Sequence, residues 1–374
     1  MQYRRMPGVE APLSVLGFGA MRLPQAPDGR IDRPAATAMV RHAIDSGVNY
    51  VDTAYVYHEG ESEPFLGEAL GDGYRERVHL ATKLPVFFVQ EPEAMDRYID
   101  EQRTRLRTDV IDLYLLHGLN GESWERMQAL GVLEFLDDAL ADGRIRHAGF
   151  SFHDDFSAFT PIVDAYDWTF AQVQYNYMDV HYQGGAEAVR YAADSGLGVV
   201  VMEPLRGGAL ARPIPGAAEL WASAGAERTP AEWGLDWLWD QPEVTVVLSG
   251  MSTMEQLREN LAYADRARPN ALSPAERAIY DDVRELYRGR TAIGCTRCGY
   301  CQPCPSGVDI PECFSLYNEA HVYGDPAAAR SRYHLFARFG GAAANCTECG
   351  QCEERCPQGL EIRKQLRAVD ELLR

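Results

Sequence analysis

Short runs of β-branched and apolar residues alternate with longer helix-like segments over residues 1–270 of this 374-residue chain. The predicted strands are Ser14–Gly19, Tyr50–Asp52, His79–Lys83, Ile111–Leu116, Arg146–Ser151, Ala171–Gln174, Gly198–Met202 and Val244–Ser249. Strand–helix alternation favours a parallel sheet, and eight repeats allow that sheet to close. We therefore predict an α/β protein whose residues 1–270 form a (β/α)8 TIM barrel, with residues 1–13 as a hairpin over its base.

The cysteines are confined to the C-terminal part of the chain. All nine lie between Cys295 and Cys356, whereas the first 294 residues contain none. A disulfide-stapled secreted protein would not show this distribution. We expect a linker helix in residues 271–290 and a small, mainly α-helical metal-binding domain in residues 291–374. Within that domain, Glu312–Tyr323 and Ala327–Phe339 have helical patterns, and Cys313 is expected to be a buried helix residue.

Charge and hydropathy restrict the partners. A formal net charge of −19 argues against nucleic acid and against anionic membrane surfaces, because both would be repelled. No stretch approaches the ~18–20 uninterrupted apolar residues of a membrane span, and the N-terminus lacks the apolar run of a signal peptide. We expect a cytoplasmic protein. The acidic surface is simply solvated or, as an alternative, attracts a basic redox partner protein.

Four polar residues are predicted to meet at one end of the barrel. Asp52, Lys83 and His117 follow three consecutive strands, Tyr57 lies five residues beyond Asp52, and catalytic residues of such barrels lie at the C-terminal strand ends. A phenol with a pKa of ~10 is a poor proton donor, and a neighbouring ammonium lowers that pKa. Tyr57 would then act as general acid, with Asp52 holding Lys83 and His117 donating to a substrate carbonyl.

Lys83 is one of only two lysines among 36 Lys and Arg residues. The planar guanidinium of an arginine cannot replace a compact ammonium at this strand end, which favours a functional role for Lys83. The alternative is that Lys83 is a surface lysine placed there by chance. Each of the four residues alone is more often structural than catalytic. Their joint order along the chain favours chemistry.

The motifs around these residues are similar in order and spacing to those of the aldo-keto reductases. They are Gly17–Met21, Val51–Ala54 followed by Tyr57, Ala81–Lys83 and Asp112–His117. The resemblance covers residues 1–270. It implies the catalytic tetrad Asp52, Tyr57, Lys83 and His117, a small-molecule carbonyl substrate, and a nicotinamide cofactor, NADH or NADPH, bound across the barrel mouth.

The same resemblance assigns residues to the cofactor. The positions implied are Ser151, Gln172, Met202, Leu205, Arg206, Gly207, Gly250, Ser252, Thr253, Gln256, Glu259 and Asn260. The loop Glu203–Gly208 is expected to wrap the pyrophosphate with backbone donors. Ser252 and Glu255 are expected to form a capping box at a helix start, which is a usual phosphate site in such barrels. An ordinary glycine-rich turn is the alternative for each segment. The sequence departs from the family at several positions. Ser151 and Gln172 stand where the family contacts the carboxamide, but Phe152 replaces the usual asparagine. Met202 replaces an aromatic residue that stacks on the nicotinamide, and Gly250 and Gln256 replace basic groups on the 2′-phosphate. Arg206 and Arg258 are left as candidate phosphate ligands.

The cysteine motifs predict iron–sulfur clusters. Cys295, Cys298, Cys301 and Cys304-Pro305 form one motif, and Cys346, Cys349, Cys352 and Cys356-Pro357 form another with the bacterial ferredoxin spacing. We assign Cys295, Cys298, Cys301 and Cys356 to one [4Fe–4S] cluster and Cys346, Cys349, Cys352 and Cys304 to a second. Zinc is the alternative, since paired Cys-x2-Cys is also a zinc signature. With 41 residues between the motifs, the module resembles helical dicluster ferredoxins.

A nicotinamide moves electron pairs whereas an iron–sulfur cluster moves single electrons, so three functions are open. The barrel reduces carbonyls with NAD(P)H while the clusters relay electrons or sense redox state. Alternatively, the altered pocket holds a flavin (FMN) that exchanges electrons between a substrate and the clusters. The third function is a non-catalytic electron-transfer or docking protein. The candidates for the substrate pocket are His58, Glu59, Phe87, Phe88, Trp124 and His153, and each is equally compatible with ordinary loop packing.

Overall fold

A computed structural model describes residues 1–212, 214–225, 227–295, 299–338 and 340–374. The chain divides into two compact units. The first consists of Met1–Ala211 and Ala231–Ser273, and the second of Arg212–Pro230 and Pro274–Arg374. The segment Arg212–Pro230, which the sequence places within residues 1–270, therefore clusters with the C-terminal part of the chain.

The first unit contains the predicted barrel. A two-stranded antiparallel hairpin of β1 (Tyr3–Arg4) and β2 (Leu13–Ser14) comes first. The barrel strands are β3 (Leu16–Gly19), β4 (Tyr50–Asp52), β5 (His79–Leu84), β6 (Ile111–Leu119), β7 (Ile145–Phe152), β8 (Phe170–Gln174), β9 (Gly198–Met202) and β10 (Val244–Ser249). They pair in parallel in chain order, and β10 closes the barrel against β3. The expected eight-stranded closed barrel is confirmed.

Helices connect the strands of this unit. They are α1 (Arg33–Asp45), α2 (Ser62–Ala69), α3 (Glu93–Leu106), α4 (Gly121–Ala129), α5 (Val132–Ala141), α6 (Phe156–Asp164) and α7 (Gly185–Asp194), with α8 (Ala217–Ser223) in the second unit, then α9 (Pro230–Trp239) and α10 (Met254–Ala264). Asp32 caps α1 by accepting from the backbone N–H of Ala35. No helix in the described ranges is long and apolar enough to cross a membrane.

The N-terminal hairpin closes the base of the barrel, as the sequence predicts. Met6, Val9 and Leu13 are buried in one apolar cluster with inward-facing strand residues, among them Tyr50. Gly198 lies against the hairpin residue Met6, and a Cβ atom at position 198 would come within 2.5 Å of Met6 Cγ. Because Gly198 has no side chain, the hairpin can pack against the base of the barrel.

The second unit is helical, as predicted for the cysteine-rich region. Besides α8 it contains α11 (Pro274–Arg288), α12 (Ile310–Tyr323), α13 (Pro326–Ala337), α14 (Gln351–Glu354) and α15 (Ile362–Leu373). Phe339, the predicted end of one helix, lies outside the described residues. Cys313 is fully buried on α12, where its thiol donates to Gly341 O at 3.5 Å. Burial raises the pKa of Cys313 to about 12, so this thiol stays neutral, as expected of a packing residue.

Candidate active site and cysteine-lined cavities

The structure brings the four predicted catalytic residues together at the C-terminal ends of β4, β5 and β6. Lys83 Nζ donates to both carboxylate oxygens of Asp52, at 2.7 and 2.8 Å, and to Thr53 O at 2.6 Å. Lys83 is 0% exposed and Asp52 3% exposed. A buried ammonium with three acceptors is held in one place, since each of its N–H bonds has a partner.

Tyr57 and His117 lie next to this ion pair. Lys83 Nζ is 5.0 Å from the centroid of the Tyr57 ring. The centroid of the His117 imidazole lies 6.0 Å from that of Tyr57, and the two rings meet edge to face at 82°. A phenol, an ammonium and an imidazole therefore surround one small region at the barrel mouth.

Electrostatics at this site depend on burial. Burial acts to lower the pKa of Lys83, but Asp52 and Tyr57 outweigh it and hold that pKa above its ordinary value. Burial also raises the pKa of Tyr57, and the opposing effect of Lys83 does not reverse the shift. The expectation that Lys83 brings the phenol below its usual pKa is thus wrong in net direction. Loss of water from around the phenol stabilises the protonated form more than the ammonium stabilises the phenolate.

His117 is neutral in this environment. Burial, reinforced by the charge of Lys83 and by His153, lowers the pKa of His117 to about 3. Its Nδ1 atom is buried and has no hydrogen-bond partner among the described residues. A neutral imidazole carries one N–H group, which fits the expected role of a hydrogen-bond donor.

The turn that carries Tyr57 is strained and clamped. His58 and Glu59 have φ angles of 52° and 56°, in the left-handed region that such residues rarely adopt. Nearby, the hydroxyl of Tyr55 donates to Glu101 at 3.1 Å, and the guanidinium of Arg105 lies 4.1 Å from the centroid of the Tyr55 ring. Strain of this kind persists only where the surrounding structure enforces it.

A buried polar network behind Lys83 was not found from the sequence. Glu63 accepts from Thr82 Oγ1 and from Gln102 Nε2, both at 2.6 Å, and pairs with Arg105 at 3.3 Å. Gln102 Nε2 also donates to Lys83 O at 3.0 Å. The network therefore holds the backbone of β5 in place at Thr82 and Lys83. The available signal was a carboxylate, Glu63, next to the apolar run Phe65-Leu66 in α2.

Residues implied for the nicotinamide end line neighbouring strands. Gln172 Nε2 lies 3.7 Å from Met202 Sδ, while Gln172 Oε1 is buried without a partner in the described residues. Ser151 Oγ accepts from Gly118 N at 2.8 Å, so the Ser151 hydroxyl hydrogen remains available to donate. Phe152 is turned away and packs against Phe159, with ring centroids 5.0 Å apart. Buried polar atoms normally have a hydrogen-bond partner, so Gln172 Oε1 is an acceptor available to a ligand N–H group such as that of a carboxamide.

The loop after β9 has an irregular backbone at the positions implied for the pyrophosphate. Arg206, Gly207 and Gly208 have φ angles of 46°, 67° and 94°. Arg206 Nε pairs with Asp179 at 3.1 Å, so its charge is already partly compensated. The side chain of Leu205 packs against α9, where a Cβ at Gly234 would lie 2.5 Å from Leu205 Cδ2. The loop thus presents mainly backbone to a ligand.

The helix start after β10 is displaced by one residue from the prediction. Thr253 caps α10, accepting from Gln256 N at 3.2 Å, and Gln256 Oε1 accepts from Ser252 N at 2.8 Å. The capping box predicted from Ser252 and Glu255 is therefore wrong, because Thr253 and Gln256 satisfy the same hydrogen bonds. Farther along α10, Arg258 and Glu259 are exposed. The buried Asn260 Nδ2 donates to Ser249 Oγ at 2.8 Å.

Two aromatic residues stand at the barrel mouth beside His117. Phe87 and Phe88 are 46% and 50% exposed. The centroid of the Phe87 ring lies 5.6 Å from that of His117. His153 lies within 3.4 Å of the Gln183 amide, and Trp124 is buried with its ring centroid 6.1 Å from that of Trp168. The ring of Phe87 thus lies beside the predicted catalytic imidazole of His117.

Seven of the eight described cysteines, all except Cys313, line two cavities in the second unit. One is lined by Cys304, Cys346, Cys349 and Cys352 together with Arg355 and Arg363. The other is lined by Cys295, Cys301 and Cys356 among apolar residues, and Cys301 also borders the first cavity. Cys298 lies outside the described residues. Within the described ranges, no three cysteine, histidine or acidic side chains are grouped to hold a single metal ion.

Each cavity therefore draws cysteines from both motifs. Cys304 of the first motif faces the cavity of the second, and Cys356 of the second faces that of the first. Thiolates are the usual ligands of [4Fe–4S] clusters, and this exchange of the fourth cysteine occurs in two-cluster ferredoxins. The donor sets fit such clusters.

Family models match both parts of the chain. The model for the aldo/keto reductase family matches residues 15–271, and that for the 4Fe-4S dicluster domain matches residues 294–360. The chain is thus an oxidoreductase. It belongs to the aldo/keto reductase family and carries a C-terminal 4Fe-4S domain.

Individual relatives agree with this placement. The "6-dehydroglucose reductase" of Novosphingobium aromaticivorans is 35% identical over 37% of this chain, but this match spans only 47% of that protein. The "NADH-specific methylglyoxal reductase" of Escherichia coli is 25% identical over 67% of this chain and 89% of its own length. Among solved structures, holo aldo-keto reductase AKR11C1 from Bacillus halodurans superimposes with a TM-score of 0.64 at 25% identity, covering 76% of this chain and 96% of that one. An aldo-keto reductase from Klebsiella pneumoniae in complex with NADPH gives 0.60 at 25% identity, with the same coverage.

Proposed function

We propose that the barrel reduces a small-molecule carbonyl to an alcohol, or catalyses the reverse oxidation, with Tyr57 as the proton donor. The observation that carries the proposal is the fixed, fully buried ammonium of Lys83 beside the Tyr57 phenol. NAD(P)H, when bound, supplies the hydride that attacks the carbonyl carbon. The protein residues then have to orient the carbonyl and deliver one proton to its oxygen.

The residues divide this work between them. His117, neutral at physiological pH, donates a hydrogen bond to the carbonyl oxygen and polarises it. Tyr57 gives its hydroxyl proton to that oxygen as negative charge develops there. The remaining phenolate is stabilised by Lys83, whose own charge is held by Asp52. Lys83 thus acts on the charge that forms during the reaction, while burial keeps Tyr57 protonated beforehand.

Several features fit a nicotinamide dinucleotide at the barrel mouth. Gln172 Oε1 lacks a donor, which the carboxamide would supply. Gly207 and Gly208, with φ angles of 67° and 94°, present backbone without side chains in the loop implied for the pyrophosphate. A relative that is NADH-specific and a similar structure that holds NADPH leave either dinucleotide open.

We further propose that the two cysteine-lined cavities each hold a [4Fe–4S] cluster. The ligand sets are Cys295, Cys298, Cys301 and Cys356, and Cys304, Cys346, Cys349 and Cys352, with Cys298 included from the sequence alone. Such clusters supply or accept single electrons, which a redox partner protein would exchange with this domain.

Flavin in the barrel is the second candidate. The observation that favours it is Met202 at a position where the family resemblance implies an aromatic ring against the nicotinamide. A flavin could pass electrons singly to the clusters and in pairs to a substrate. The arrangement of Asp52, Tyr57, Lys83 and His117 counts against a purely non-catalytic docking protein.

The test uses anaerobically purified full-length protein. Tyr57→Phe should lower NADPH-dependent reduction of methylglyoxal and a panel of other small aldehydes by about 10²–10⁴-fold, as expected for loss of a general acid, while the brown colour of the clusters stays. Tyr191→Phe, which removes an exposed hydroxyl bonded to Asp164, is the matched control and should retain full activity. Unchanged turnover in Tyr57→Phe would remove Tyr57 from its role. A yellow, fluorescent compound released at stoichiometric level on denaturation would replace the nicotinamide with a flavin.

A further inference from the structure

Arg22 is placed by the backbone of the neighbouring loop. It ends a short 3-10 turn, Ala20–Arg22, that follows β3 directly. Its carbonyl oxygen accepts a hydrogen bond from Ser252 Oγ at 2.9 Å, in the loop after β10. The residue is therefore tied to one of the two loops implied for the cofactor phosphates.

The aliphatic part of Arg22 crosses the space above Gly250. A Cβ atom at Gly250 would lie 3.2 Å from both Cβ and Cγ of Arg22 and 3.3 Å from its Cδ. Such distances are closer than ordinary van der Waals contact. The side chain of Arg22 thus passes through the space that a side chain at position 250 would enter, which is where the family resemblance implies a basic group.

The guanidinium of Arg22 reaches the loop after β9. A Cβ at Gly207 would lie 2.7 Å from Arg22 Nη2, and the φ angle of Gly207 is 67°. One side chain therefore spans the loops after β9 and β10. Since these loops are where a barrel binds phosphate groups, the positive charge lies between the two phosphate-binding segments.

The charge of Arg22 is not neutralised by a carboxylate among the described residues. No carboxylate in the described residues forms an ion pair with its guanidinium, and the residue is exposed. Arg206, which the sequence suggested for this role, is paired with Asp179. Arg258, the other sequence candidate, is exposed on α10.

We propose that Arg22 binds the pyrophosphate of the nicotinamide dinucleotide, with its aliphatic stem lying in the space that a side chain at position 250 would occupy. This inference rests on the proposed function, because it requires a dinucleotide in the barrel. A guanidinium offers a planar fork of donors that matches two phosphate oxygens. The pyrophosphate is common to NADH and NADPH, so Arg22 contributes equally to the binding of both.

The experiment measures the Kd of NADPH and of NADH by anaerobic calorimetry on the cluster-containing full-length protein. Arg22→Gln should weaken both cofactors by the same factor, about tenfold or more, and tenfold corresponds to ~1.4 kcal/mol. Arg5→Gln, at an exposed residue in the N-terminal hairpin, makes the same change in net charge and should leave both Kd values unchanged.

A second variant separates charge from local structure. In Arg22→Ala/Gly250→Lys, the space vacated by the Arg22 stem is available to a lysine at position 250, and cofactor affinity should recover relative to Arg22→Ala alone. Absence of recovery in a variant with wild-type circular dichroism would overturn the requirement for a cation here.

The remaining outcomes are distinguishable. Equal Kd values for wild type and Arg22→Gln would refute the role of Arg22 but not the proposed reductase. Weakening confined to NADPH would place the guanidinium on the 2′-phosphate and overturn the pyrophosphate assignment. A wild-type protein that binds neither dinucleotide would refute the proposed function itself.

Discussion

Removing the Lys83 ammonium should destabilise the barrel in a pH-dependent way. In Lys83→Met the carboxylate of Asp52, 3% exposed, loses the only side chain that donates to it in the structure as described. Breaking a buried ion pair from one side typically costs about 3–5 kcal/mol, because the remaining charge stays desolvated. For a unit of this size, that corresponds to a decrease in Tm of about 6–20 °C.

The sign of the pH dependence follows from Asp52. Without Lys83, burial alone acts on Asp52, so its pKa in the folded state lies above the unfolded value of ~3.9. The destabilisation is then absent below that unfolded pKa and grows as pH rises toward the folded pKa. The loss of stability in Lys83→Met should therefore be larger at pH 8 than at pH 5.

The assay is thermal and urea unfolding of the full chain under anaerobic conditions, followed by circular dichroism. Lys364→Met is the matched control, since it removes the only other lysine, and the change should stay within about 0.5 kcal/mol at this exposed site. Lys83→Met/Asp52→Asn should lose less stability than the sum of its single changes. A cost below 1 kcal/mol for Lys83→Met, or an equal cost at the two pH values, would refute the reasoning.

Two other predictions concern the phenol and the clusters. Because the pKa of Tyr57 is raised and that of His117 is lowered to about 3, kcat/KM for carbonyl reduction should stay constant from pH 6 to about pH 9 and fall only where the phenol ionises; a break near neutral pH would contradict the assignment. Cys304→Ala should lower the iron and sulfide content by about half, as expected if it removes a ligand of one of two four-iron clusters, whereas Cys313→Ala should leave both contents unchanged; equal contents in the two variants would exclude Cys304 as a ligand.

The arrangement of the barrel could be predicted from sequence, because it depends on the alternation of strands and helices and on the order of the strands along the chain. Parallel strands end at the same edge, so residues that follow successive strands, such as Asp52 and Lys83, must be neighbours. The register confirms this, with Asp52 beside Ala81 on β5. That Asp52 and Lys83 are neighbours thus follows from strand order alone, without side-chain contacts.

Other features depend on contacts between distant segments and could not be read from the sequence. The net pKa of Tyr57 depends on how much water the fold removes from the phenol, which overcomes the local charge. Arg206 was expected to be available to a phosphate, but Asp179 from the preceding loop pairs with it. The cap of α10 fell on Thr253 rather than Ser252, whose hydroxyl bonds instead to Arg22 O.

The scarcity of lysine has a practical consequence. Lys83 is completely enclosed, whereas the side chain of Lys364 is 69% exposed on α15 and pairs with Glu361. Amine-directed reagents such as succinimidyl esters would thus modify a single side chain of the native protein, apart from the terminal amine. Its neighbour Arg363 lines one of the cysteine cavities, so a fluorophore attached to Lys364 would be quenched or brightened as the cluster proposed for that cavity changes its absorption. The chain thus carries a natural site for an optical reporter of its own oxidation state.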